Sequence, residues 1–499
     1  MSKFKLFVFS LILHSTTFFS ANSQTIKFSP TELDNNFVMK LIGKGDTSIW
    51  VVQKVDDLEA LDGSGSVFTE YSNDLVSIVN LEIDKLKIKP YKIYDAIVWD
   101  NKLTWLSEIS NGWPFSKKGK IRSRLLLERP FDSEQFICVD SSEYSFFNLD
   151  ARYGQFTGYA LGVGTRDKGF LIAPGSDNKD AYITNNISTR LNDQKEVKVY
   201  LVSDQMQMKG SSLGLSKAEL PMNGKGSTNF SVGSDYLVLR TNVFNSKENL
   251  PSKFQLSIID IKSRDTKEIT IPQQAEYLYA EWNSSISSDH ILTLKGFFKN
   301  AKSKSIDGYY SYAIDLNQAK LIQSLIVPLS AAGKSAFSAI ENARGEVKHY
   351  SNLIEMHDGS KICIIESFNP ARLDQNRTSN PRELNFYVVS FDKAGNFQWS
   401  REIVRDEKVL DYSAGEWSYG LLINKDKIHI YFNQEDKVLD CTVTYDGTVI
   451  MKNLNESIAD KEVRKFQIYP KRGFIQLSDK EIVFTCSKDK RSTLVKFTY

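Results

Sequence analysis

The sequence predicts an all-β fold, a β-propeller of eight four-stranded blades (seven being the alternative count), with the ring closed by an N-terminal strand. Three observations predict it. Short runs of alternating apolar and polar residues fill the chain while helical periodicity is almost absent. The strongest of these runs recur about every 62 residues. Each is preceded by residues suited to a tight turn, and a second hairpin follows several of them. An aromatic content of 12% fits a strand-rich chain.

In order, the recurrent runs are SIWVVQKV near residue 51, KLTWLSEI near 105, GFLIAP near 171, DYLVLRTNV near 238, HILTLKGFF near 293, KICIIESF near 364, KIHIYFNQ near 430 and EIVFTCS near 484. The stretches before them are GKGD, WDN, TRDKG, GSD, SSD, HDG, NKD and LSDK. Glycine supplies positive φ in such turns, and Asn, Asp and Ser bond their own backbone. Second hairpins read from FQLSIIDIKSRDTKEITI, YYSYAIDLNQAKLIQSLI, FYVVSFDKAGNFQWSREI and LDCTVTYDGTVIMKNL, which completes four antiparallel strands per unit. Patterning is weakest over residues 130 to 200. The last unit supplies only three strands, ending STLVKFTY, and TIKFS, Thr25 to Ser29, is placed to supply the fourth. Closing a ring in this way removes the open edge that invites aggregation.

At 499 residues the chain exceeds an ordinary single core, and a radial repeat resolves the excess. The N-terminus carries Lys3 and Lys5, an apolar run from Leu6 to Leu13, and small residues Ala21 and Ser23, the pattern of a secretory signal peptide cleaved after Ser23. The expected organisation is therefore a signal peptide at 1–23 and a single propeller domain at 24–499, exported to a periplasm or the cell surface. No later apolar run is long enough to span a bilayer. Loss of two lysines takes the net charge of +2 to about zero, so global electrostatics favours no class of partner and gives no reason to expect nucleic acid. Four cysteines occur; Cys363 and Cys486 lie in apolar strand patterns and read as free buried thiols.

The segment SFDKAGNFQW resembles the tryptophan-docking repeat of quinoprotein-like eight-bladed propellers, in which a small residue, Asp, Gly and Trp recur at fixed offsets. Here these are Ser390, Asp392, Gly395 and Trp399. The resemblance implies that the indole fills the gap between neighbouring blades. The Asp to Gly spacing is one residue shorter than the family pattern, and at the equivalent place after YDGT stands Met451. The family's redox enzymes use vicinal cysteines, which this chain lacks, so the resemblance is carried for architecture and no cofactor is expected.

Long connections are expected between the second and third strands: 56–72, 110–120, 245–253, 299–308 and 369–384. Binding residues on scaffolded folds concentrate in such loops. Four of them hold eleven basic residues against four acidic ones, while the first, with Asp56, Asp57, Glu59, Asp62 and Glu70, is acidic. A polarised face of this kind suits a protein or carbohydrate partner, including an anionic one. Its candidate contacts are Trp113, Lys117 and Lys118 in the second unit and Arg372, Arg377 and Arg382 in the sixth. Trp113 is the candidate for stacking on a sugar or anchoring a partner.

Catalytic signatures are sparse. GxSxG, HExxH and GxxxxGK[ST] are absent, and five histidines give little material for a metal site or triad. His357 reads as a turn residue and His429 as a packed strand residue. The alternative to a binding module is a glycoside hydrolase with axial carboxylates, for which Asp95, Glu276, Glu281 and Glu355 lie on or beside predicted innermost strands.

Overall fold

A computed structural model describes residues 24–33, 37–55, 61–62, 67–82, 92–99, 102–110, 121–130, 137–145, 168–174, 181–187, 195–202, 208–215, 228–232, 235–244, 251–260, 263, 265–272, 277–287, 289–300, 305–343, 347–351, 353–369, 372–374, 377–379, 382–405, 407–408, 418–458, 465–470, 473–488 and 491–499.

Within these residues the chain is all-β apart from one helix. It forms eight successive antiparallel sheets, each built from strands that neighbour one another in sequence. The first sheet holds Phe37–Lys44, Ser48–Val55, Val67–Ser72 and Ser77–Glu82. The second holds Lys92–Trp99, Lys102–Ser110, Ile121–Pro130 and Ile137–Ser145. The third holds Lys168–Pro174, Ala181–Ile187, Lys195–Val202 and Met208–Leu215. The fourth holds Thr228–Val232, Tyr236–Phe244, Pro251–Asp260 and Thr266–Pro272. The fifth holds Tyr277–Ile286, Ile291–Asn300, Gly308–Asp315 and Lys320–Pro328. In the sixth, Val347–Tyr350 and Ile354–Glu355 share the first position, followed by Lys361–Asn369, Arg382–Phe391 and Phe397–Ile403. The seventh holds Gly420–Ile423, Lys427–Gln434, Lys437–Thr444 and Val449–Asn453.

The eighth sheet joins the two ends of the described chain. Phe466–Ile468 and Phe474–Ser478 flank Glu481–Lys488, which pairs with Arg491–Thr498, and the N-terminal strand Thr25–Phe28 adds antiparallel to that last strand, Thr25 opposite Thr498. The N-terminal segment is further tied by ion pairs from Lys488 (2.8 Å) and Arg491 (3.1 Å) to Glu32. The expectation that TIKFS supplies the eighth unit's missing strand matches this pairing.

Seven of the eight recurrent runs occupy the second position of their sheet. GFLIAP does not: it lies in the first strand of the third sheet, Lys168–Pro174, which pairs with Ala181–Ile187, so the hairpin connection is 175–180 and Lys168 and Gly169 of TRDKG are already rungs of that strand. Its continuous apolar run outweighs the more polar AYITNNI in a sequence reading, yet hydrogen-bond register places AYITNNI in the middle of the sheet. The expected second hairpins of the fourth to seventh units all form.

Apolar layers lie between consecutive sheets. Tyr236, Val238, Leu256 and Ile258 of the fourth sheet pack on Leu292, Leu294, Tyr310 and Tyr312 of the fifth. Phe297 and Tyr309 of the fifth meet Cys363, Val389 and Phe391 of the sixth. Ile364, Phe386 and Val388 of the sixth meet Ile430, Phe432 and Cys441 of the seventh. Tyr431 of the seventh meets Phe484, Val495 and Phe497 of the eighth, and Val483 and Leu494 of the eighth meet Ile49, Val51 and Tyr71 of the first. The fifth to eighth sheets thus bury both faces, which accounts for their second strands reading as nearly unbroken apolar runs.

The helix, Ala331–Asn342, stands between the fifth and sixth sheets. Ser330 caps it by accepting from the Gly333 amide (3.2 Å), and Phe337 and Ile340 bury into the layer between the two sheets. Gly333 lets the helix lie against Phe397, whose Cβ stands 3.0 Å from where a glycine substituent would begin. No helix among the described residues is long and apolar enough to cross a membrane. Cys363, Cys441 and Cys486 are free and buried, and desolvation pushes the Cys441 thiol up to about 12.

Candidate binding face

Because every sheet is an up-and-down meander, its second-to-third connection leaves from the end opposite its first-to-second turn. The long connections lie at 56–66, 111–120, 245–250, 301–307 and 370–381, each between second and third strands as expected. First-to-second turns are mostly tight, and among the described residues two rest on positive φ, at Gly359 (82°) and His290 (60°). Corrections concern the ends of the loops: Lys253 lies in the third strand of the fourth sheet and Lys299 in the second strand of the fifth, so neither is a loop residue. Residues 67–72 form the third strand of the first sheet, with Glu70 buried at 5%, so Glu70 contributes no loop charge. Arg382 and Glu383 likewise begin the third strand of the sixth sheet.

The sixth sheet carries the best-described part of this face. Its insertion contains a two-stranded ribbon, Arg372–Asp374 with Arg377–Ser379, in which Asp374 stands opposite Arg377 and Arg372 opposite Ser379. Arg382 occupies a rung between Asn369 and Lys408, the latter from a short strand, Glu407–Lys408, that extends the sheet at this end. Three of the expected contacts, Arg372, Arg377 and Arg382, are therefore gathered at one end of one sheet. Trp113, Lys117 and Lys118 lie outside the described residues.

Immediately beneath sits a buried polar group that sequence reading missed. Arg405, which follows the fourth strand, and Glu366, on the second, pair at 3.6 Å with side chains 2% and 4% exposed. The Ser418 hydroxyl, just before the seventh sheet, donates to the Glu366 carboxylate and accepts from the Arg405 guanidinium. The Arg405 guanidinium lies 5.1 Å from the Phe386 ring and 5.5 Å from that of Phe432, one on each of the sixth and seventh sheets. Its backbone N–H donates to the Asn385 side chain at 3.0 Å. The group ties the connection between the sixth and seventh sheets to the strand from which the long insertion springs.

A second buried polar group joins the seventh and eighth sheets. His429 Nδ1 lies 3.0 Å from Asp440 Oδ1, and the Tyr499 hydroxyl donates to the other oxygen of Asp440. Tyr431 and Gln24 each donate to the Tyr499 hydroxyl at 2.6 Å. This is a packing role for His429, as its strand position implied, and His357 lies in a turn.

Of the carboxylates considered for hydrolysis, Asp95, Glu281 and Glu355 lie on first strands and Glu276 is outside the described residues. Glu355 is 58% exposed and bound to Lys295 at 2.6 Å, and that hydrogen bond holds its carboxyl below the usual range. A folded-state value below the unfolded one means the contribution to stability is present above about pH 4.5, where the unfolded carboxyl is ionised, and is lost as pH falls through the folded value. Accordingly, Glu355→Gln should leave the melting temperature at pH 3 unchanged relative to the parent and lower it slightly at pH 7; a difference confined to pH 3 would contradict the pairing. Among the described residues no cluster of His, Cys, Asp and Glu has the makings of a metal site.

No protein-family model and no curated protein matches the chain. Among solved structures it is similar to a prolyl endopeptidase at 10% identity and TM-score 0.42, over 92% of this chain, and it spans only 55% of that protein's length. It is also similar to a polysaccharide lyase at 10% identity and TM-score 0.37, covering 81% of this chain and 89% of that one. A third likeness is to a member of the DUF4221 family from Bacteroides vulgatus, at 10% identity and TM-score 0.34 over 87% of this chain and 98% of that one. At these scores the architecture rests on the sheets themselves.

Proposed function

We propose that this chain is an exported β-propeller of eight blades that acts as a binding or scaffolding module, holding a protein or glycan partner against the face formed by the long second-to-third insertions. The observation that carries the reading is the sixth sheet: a basic insertion with its own ribbon, rooted on a strand whose end is fixed by the buried Glu366, Arg405 and Ser418 group. A rigid root under a cationic insertion lowers the ordering cost of binding. The ring reading draws on the serial packing of sheets four to eight onto the first and on the pairing of Thr25–Phe28 with the C-terminal strand.

In such a ring the first strands face the axis. Leu61–Asp62, from the first sheet's insertion, pairs with Lys92 and Ile93 on the free edge of the second sheet's first strand and would narrow the axial channel. That favours binding over an open catalytic funnel. The test compares affinity capture from the envelope extract of the source cell by the mature chain and by a version with 370–381, the connection between the strands, replaced by a short turn. The expected result is loss of the specific partner from the shortened version at unchanged melting temperature. Equal recovery by both would refute the loop face, and release of reducing sugar from envelope glycans by the parent would favour the hydrolase.

A further inference from the structure

The seventh sheet differs from its neighbour on the insertion face. Its second-to-third connection is only Glu435 and Asp436, with Glu435 at φ 57°, so the connection itself forms no loop over the end of the sheet. A pocket of about 310 Å³ opens there, lined by Gln434, Lys437, Leu439, Met451, Asn453 and Glu456, with Glu435 and Lys452 completing it. That volume has room for about ten waters.

Its chemistry is mixed in a specific way. Two ammonium groups, Lys437 and Lys452, stand against two carboxylates, Glu435 and Glu456, so the charges cancel and the pocket has no net pull on an ion. The polar groups offer both donors and acceptors, which is what hydroxyl groups need, since each hydroxyl both donates and accepts. Several are held in place before any ligand arrives. The Asn453 amide donates to Glu456 at 2.8 Å while its oxygen accepts from the Asn455 N–H at 3.1 Å, and Lys452 donates to Gln24 at 3.0 Å. Leu439 and the 45% exposed Met451 add an apolar patch, the thioether being able to follow the contour of a ring.

We propose that this pocket is a subsite for one uncharged, polyhydroxylated ring, a monosaccharide unit of a glycan, with the C–H face of the ring on Met451 and Leu439 and its hydroxyls on Lys437, Gln434 and Glu456. The proposal rests on the reading of the insertion face as the recognition face and narrows its partner to a glycan.

Saturation-transfer NMR with the full mature chain tests it, using methyl glycosides of glucose, galactose, mannose and N-acetylglucosamine, with glycine as a zwitterionic probe and methyl phosphate as an anionic one. At least one glycoside is expected to bind saturably in the millimolar range, as a single ring contact should. Met451→Glu, at an exposed position, should weaken it at least tenfold. Ile450→Glu, 57% exposed on the adjacent residue and not in the pocket, should leave it unchanged. The absence of saturable glycoside binding, equal loss in both variants, or binding of glycine or methyl phosphate in place of sugar would each overturn the assignment. The version with 370–381 shortened should keep the glycoside. Equal partner capture by both versions with the glycoside retained counts only against the loop face, whereas failure of the glycoside with loop-dependent capture intact counts only against this pocket.

Discussion

Replacing Glu366 with alanine is expected to destabilise the protein by about 3–5 kcal/mol, the range found when one member of a buried ion pair is removed. The cost arises less from the lost attraction than from what remains. Arg405, 2% exposed and held between the Phe386 and Phe432 rings, would keep its charge in a layer it cannot leave without opening the contact between the sixth and seventh sheets. Glu366→Gln, which keeps an acceptor for Ser418 but removes the charge, should fall between parent and alanine variant. Substituting both partners with apolar residues, Glu366→Leu with Arg405→Met, should recover most of the loss, because the pair is replaced by packing and no charge is stranded. Urea melts of the four proteins measure this. A loss below about 1 kcal/mol for Glu366→Ala, the value of an exposed pair, would mean that the group is open to water. If the insertion depends on this root, partner capture should also fall in the alanine variant at temperatures where it remains folded.

Much of the fold was legible because its signals are local. Turns such as His357-Asp358-Gly359 and Asp392-Lys393-Ala394-Gly395 declare themselves through residues that few other conformations favour. Second strands such as Lys361–Asn369, Lys427–Gln434 and Glu481–Lys488 stand out because they are buried on both faces. Failures occurred where a local signal was outweighed. GFLIAP is more apolar than AYITNNI, but sheet position depends on partners rather than on hydrophobicity alone. Val67–Ser72 was hidden by the GSGS before it and by Glu70, whose burial no sequence window shows. The helix Ala331–Asn342 carries a visible Ser330 cap, yet its small residues leave only Phe337 and Ile340 as a repeating apolar pair. The Glu366, Arg405 and Ser418 group was beyond reach for a different reason. Glu366 sits in an apolar strand pattern and Ser418 lies 52 residues further on, so only the packing of two sheets brings them together. The same holds for the pocket at the end of the seventh sheet, whose residues come from three strands and the turns beyond them.

The second large effect concerns the tryptophan of the sixth sheet. Trp399 is half-buried; its indole N–H donates to the Tyr445 carbonyl of the seventh sheet at 2.9 Å, and Gly447 lies beneath the ring with φ 82°. A Cβ on Gly447 would stand 2.8 Å from the indole Cδ2, closer than side chains tolerate, so the turn must be both left-handed and bare for the ring to dock. Arg401 stands 5.6 Å from the ring and donates to the Gly447 carbonyl at 2.7 Å. The inter-sheet role implied by the docking resemblance is thus matched by a direct contact across the gap. Trp399→Ala should cost about 2–4 kcal/mol, somewhat under the value for a fully buried ring. Trp399→Phe should cost less, retaining area but losing about 1 kcal/mol of hydrogen bond. Gly447→Ala should cost about 1–3 kcal/mol through the left-handed backbone alone, plus whatever the displaced indole adds. In the double variant that second part vanishes, because no ring remains to be displaced. The summed single losses should therefore exceed the loss in the double variant by at least about 1 kcal/mol, the signature of residues that share one contact. Strict additivity in thermal melts would show that the turn and the indole stabilise the two sheets independently.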